Sequence, residues 1–90
     1  MLNIGDVAES ADGTEVVVEG FVVEDGGVVV LAETLAESFP PQAGGATVRV
    51  DGLDLDELDL QQEGSVRWSD GPITINGTVD QGRVVDAAPG

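Results

Sequence analysis

The sequence predicts an all-β protein with small α content, a five-stranded OB-like Greek-key barrel with a short helix between its third and fourth strands. Three observations carry that expectation. Valine and isoleucine recur with a period of two through several short segments, and glycine-bearing turns separate those segments. Two of the segments repeat one pattern, Val16-x-Val18-x-Gly20-x-Val22 and Ile73-x-Ile75-x-Gly77-x-Val79. A glycine inside a strand weakens it unless the backbone must bulge or bend there, so each central glycine marks a barrel corner. The third observation is the order of elements: three long strand patterns, a capped helical turn, then further strands.

Residues 1–13 combine Gly5, Asp6, Ser10, Asp12 and Gly13 with a few small apolar residues and read as a lead-in segment or an irregular edge strand. Residues 14–24 read as one long bent strand, with Val16, Val18 and Val22 on the core face and Glu15, Glu19 and Asp25 opposite. Gly26 and Gly27 supply the turn of a hairpin whose return strand is residues 28–31. Leu31, Leu35 and Phe39 then recur at intervals of four, which predicts a short helix ended by Pro40 and Pro41. Residues 42–45 read as a loop, and 46–51 as a third strand with Ala46, Val48 and Val50 inward. Asp54 and Glu57 form a capping box for a helix of one or two turns, whose Leu55 and Leu58 plug one end of the barrel. Residues 61–64 lead away, and Val66 and Trp68 alternate in a short strand. Residues 73–79 and 83–85 form a last hairpin about Gln81 and Gly82, leaving 87–90 as a frayed tail. A chain of 90 residues holds one domain, 1–90, with a small core.

Charge is the most unusual property of the chain. Eighteen carboxylate side chains face three arginines and no lysine, a net charge of −15, and the first 45 residues carry no cationic side chain. Such a charge repels phosphate backbones and anionic membrane surfaces, so direct nucleic-acid binding is not expected. No segment approaches the run of about 18 apolar residues that spans a bilayer, so membrane insertion is not expected either. Three causes fit the acidity: adaptation to high salt, a surface that imitates DNA and inhibits a nucleic-acid-binding protein, or an acidic patch for a basic partner or a cation.

At Leu35-Ala36-Glu37-Ser38-Phe39-Pro40-Pro41-Gln42-Ala43-Gly44-Gly45, Val50-Asp51-Gly52-Leu53 and Val66-Arg67-Trp68-Ser69, the chain resembles small uncharacterised actinobacterial proteins with OB-like domains. The resemblance covers residues 15–86. Those proteins are expected to be exported or lipid-anchored, so the resemblance implies an extracytoplasmic or envelope location. It also implies cysteines where this chain carries Ala32 and Ala43. A disulfide between them would contribute about 3 kcal/mol, so its loss implies a reducing setting or a cysteine-free, engineered or halophilic version of the domain. The resemblance supplies no biochemical role.

Composition argues against catalysis. The chain has no histidine and no cysteine, so Ser10, Ser38, Ser65 and Ser69 lack the usual base, and no cofactor is expected. Asp51, Asp54, Asp56 and Asp59 form the densest oxygen cluster and the only metal candidates, but their spacing lacks the glycine and distal glutamate of an EF-hand; helix capping and a solvated acidic face account for them as well. Trp68, Phe21 and Phe39 suit a stacking platform or simple core packing. Arg49, Arg67 and Arg83 read as partners of neighbouring carboxylates. Phe39, Pro40, Pro41 and Gln42 present the best candidate loop for a protein partner, with a barrel cap as the plainer role. The expectation from sequence is therefore a noncatalytic small β-barrel binding or structural module.

Overall fold

The computed structural model of the protein describes residues 3–36 and 42–90. A one-turn helix α1 (Ile4–Val7) is followed by strands β1 (Glu15–Asp25), β2 (Val28–Ala36) and β3 (Gln42–Arg49) and a single 3-10 turn (Leu55–Glu57). Strands β4 (Gln61–Glu63), β5 (Val66–Trp68), β6 (Ile73–Asp80) and β7 (Arg83–Pro89) complete the chain. The fold is all-β with little helix. Among the described residues the sheet has seven strands, in the order β3-β2-β1-β5-β4 with β6 and β7 joined through β1, and it does not close continuously.

Strand β1 organises the rest because it changes partners midway. Glu15 to Gly20 pair with β6, Phe21 to Asp25 pair with β2, and Val23 to Asp25 pair also with β5. Gly20 sits at the handover. A Cβ there would stand 2.5 Å from Ile4 Cδ1 and 2.9 Å from the Ala32 carbonyl oxygen, so only glycine fits the close approach. Splitting the sheet leaves Val22 between two partners, and Ser69 fills the gap. Val22 N–H donates to Ser69 Oγ at 2.9 Å while Ser69 N–H donates to the Val22 carbonyl at 2.9 Å. Ser69 is the one buried polar residue among those described, and this exchange satisfies it.

Both long hairpins carry the turns their residues favour. Gly26 and Gly27 have φ of +61° and +88°, and Gln81 and Gly82 have +53° and +75°, the two positive values of a twisted two-residue turn. Each of β3 and β7 also bulges. Gly45 and Ala46 stand opposite Glu33 in one ladder, and Asp86 and Ala87 stand opposite Gly77 in the other. At the first bulge Glu33 Oε1 accepts the Ala46 N–H at 2.8 Å.

The core holds Val16, Val18, Val22, Leu31, Val48, Ile75, Val79 and Val84, with Ile4 and Val7 of α1 packed in among them. The expected core face of β1 is in place. Between β3 and β7 the two halves of the sheet meet through a parallel bridge, Val50 with Val84. Asp51 N–H donates to the Val84 carbonyl at 2.8 Å, and Ala87 N–H to the Asp51 carbonyl at 3.2 Å.

Several expectations are corrected. Residues 31–36 are strand, not helix, because a spacing of four is also a multiple of two: Leu31 is buried and Leu35 half-buried while both pair with β3. Phe39 lies outside the described residues. Residues 42–45 belong to β3, where Gly44 packs so closely on Thr34 that a Cβ would lie 2.8 Å from its Oγ1. The lead-in contributes α1 to the core, residues 61–63 form β4 against β5, and the tail is held, since β7 runs to Pro89 and Gly90 N–H donates to Thr74 at 2.8 Å. The capped helix shortens to one 3-10 turn, with Asp54 Oδ1 accepting the Asp56 N–H at 3.1 Å. Leu55 is buried and Leu58 half-buried against the core.

Candidate binding grooves

Glu24 and Arg67 are cross-strand partners on β1 and β5, on the same parity as core residue Val22, one step beyond it. Arg67 Nε donates to Glu24 Oε1 at 2.6 Å, with the two side chains 30% and 17% exposed. The hydrogen bond from the Arg67 guanidinium, aided by its charge, holds the Glu24 carboxyl below the usual glutamate range despite its partial burial. The same bond raises the Arg67 pKa further.

Around this pair opens a groove of about 380 Å³ lined by Glu24, Asp51, Asp54, Asp56, Leu55 and Arg67 among others. Three of the four clustered aspartates therefore come together, while Asp59 is exposed and outside the lining. Each of the three has a local partner. Asp51 accepts from Arg83 at 3.2 Å and lies 3.5 Å from Arg49, Asp54 caps the 3-10 turn, and Asp56 lies 3.7 Å from Arg67. Among the described residues no group of three carboxylates is placed to hold a metal ion. All three arginines are paired with carboxylates, as their sequence positions suggested, and Arg83 also lies 3.7 Å from Asp80.

A second groove, of about 520 Å³, lies on the opposite face of the sheet. Val66, Asp25 and Val28 line it as one cross-strand row over β5, β1 and β2, which Glu63 of β4 continues beyond the groove. The next row carries Gln61, Trp68, Val23, Val30 and Arg49. Sequence reasoning missed this face. The signal was present: Phe21-Val22-Val23 breaks the period of two, as a strand does when apolar side chains leave both of its faces.

Of the interaction candidates, Phe39, Pro40 and Pro41 lie outside the described residues. Gln42 is exposed at the start of β3 and lines the second groove. Trp68 is only 6% exposed and sits beside Val23, so its ring packs within the sheet face rather than offering a stacking platform. Ala32 pairs with Thr47, and Ala43 with Leu35. The two alanines are thus offset by three residues, about 10 Å along the strands, beyond the span of a disulfide in this register.

No protein-family model, curated protein or solved structure matches this chain.

Proposed function

We propose that the chain is a noncatalytic binding module on an OB-type barrel, and that the acidic groove takes a cationic segment of a protein partner. In this reading β1, β2, β3, β6 and β7 are the five barrel strands, the Val50 to Val84 bridge is their closure, and the 3-10 turn with the β4–β5 hairpin occupies the place of the helix. One observation carries the binding reading. The groove is lined by four carboxylates and one arginine, and each of the three arginines is already paired with a carboxylate, so among the described residues no cationic side chain stands free to receive an anionic ligand. A lysine or arginine from a partner meets Asp54 and Asp56 at the rim, where charge governs association rate and selectivity.

The test is calorimetric titration of a short oligo-arginine peptide into the wild type and into an Asp54→Asn, Asp56→Asn double variant at about 0.15 M salt, where long-range attraction is screened. The expected result is weaker binding by the variant. Equal affinities would remove the groove from consideration. The Phe39, Pro40 and Pro41 loop is tested separately by a Phe39→Ala, Pro41→Ala variant in the same titration.

A further inference from the structure

We propose that the outer face of β5, β1 and β2 docks an extended partner segment that turns apolar and cationic side chains toward it in alternation, one at every second residue. The inference rests on the binding-module reading and gives the partner a second site and a definite chemistry. An antiparallel sheet with one solvated face carries polar side chains there. This face instead carries valines: Val28 is 45% exposed, Val30 and Val66 are half-buried, and Val23, paired with Val30, is 6% exposed.

The order of side chains across the strands selects the occupant. Along the outermost row a carboxylate alternates with a valine, Glu63, Val66, Asp25, Val28, each step one strand spacing of about 4.8 Å. Glu63 and Asp25 are both exposed. A segment that set only apolar side chains on this row would desolvate two carboxylates without a partner, which is unfavourable. Same-face side chains of an extended segment recur about every 6.8 Å, so one that turned apolar groups toward Val66 and Val28 and the long, flexible side chains of lysine or arginine toward Glu63 and Asp25 leaves neither carboxylate without a partner. A second copy of this chain fits poorly, since two molecules of net charge −15 would bring these carboxylates face to face.

The probe is a short synthetic peptide repeating valine-serine-lysine-serine, so that valine and lysine alternate along one face of the extended chain, titrated into the full chain at about 0.15 M salt and followed by amide shifts and by emission of Trp68, the one tryptophan, which lies in the adjoining row. The expected result is perturbation of Val23, Asp25, Val28 and Val66, with binding weakened about tenfold by Val28→Ser together with Val66→Ser. Asp25→Asn, which leaves the valines intact, weakens binding as well. A peptide with serine in place of valine binding equally well would overturn the proposal, because charge alone would then suffice. So would loss of binding in Asp54→Asn, Asp56→Asn with none in Val28→Ser, Val66→Ser, an outcome that leaves the acidic groove standing. Absence of binding by the wild type, or a dimer in sedimentation that Val28→Ser dissolves, would equally overturn it.

Discussion

Ser69 shows how one side chain permits a strand to serve two parts of a sheet. Where β1 passes from β6 to β5, the Val22 N–H has no strand partner, and the Ser69 hydroxyl accepts it in a fully buried setting. Ser69→Ala removes the acceptor and leaves the donor dry, which should lower the unfolding free energy by about 1–3 kcal/mol in urea denaturation; an unchanged midpoint would show that water or a shifted backbone replaces the hydroxyl. Glu24 makes a pH-dependent contribution. Its carboxyl lies below the ordinary glutamate range when folded, so folding gains from its ionised form above that range and loses the gain as pH falls through the lower folded value. The stability of the wild type relative to Glu24→Gln should therefore be greatest above about pH 5 and decline below about pH 4, read from urea midpoints across that range.

Among the elements, the bulges and the β1 bend carry the strain. Asp86 holds φ of +51° at the bulge opposite Gly77, while the matching position of the other ladder, Gly45, holds +68° at no steric penalty. Asp86→Gly should raise the melting temperature by relieving up to about 1 kcal/mol of backbone strain, and Gly45→Ala should lower stability by about 1–2 kcal/mol. A Cβ at position 45 would also press on Glu33 Cβ at 3.2 Å. Gly20→Ala acts differently. Its Cβ has backbone in its way at the Ala32 carbonyl as well as the mobile end of Ile4, so overpacking of about 1–3 kcal/mol is expected, with loss of α1 docking seen as faster amide exchange at Val7.

At the scale of the whole molecule, charge and size set the response to salt. The principal extents are 35, 24 and 20 Å, so at 0.01 M salt, with a screening length of about 30 Å, nearly every carboxylate feels the others. Three arginines neutralise few of the 18 carboxylates. Melting temperature should rise with sodium chloride from 0.01 M and level off near 1 M, where the screening length is about 3 Å. A gain continuing beyond that concentration would point to salt-strengthened burial or halophilic adaptation, and a flat profile throughout would show that self-repulsion is negligible.

Sequence alone determined what depends on neighbours in the chain: the alternation that buries Val16, Val18 and Val22, the two hairpin turns, the need for glycine at position 20, and the pairing of every arginine with a carboxylate. The clustering of Asp51, Asp54 and Asp56 was legible because Asp54 caps the turn that places Asp56. Tertiary structure decided the rest. A spacing of four fits helix and strand alike, so only pairing with β3 made residues 31–36 a strand. Ile4 and Val7 became core because the bend at Gly20 left room for them, which no local pattern encodes. The row of Glu63, Val66, Asp25 and Val28 exists only through register, since residues far apart in sequence share a face only when three separate strand pairings align them.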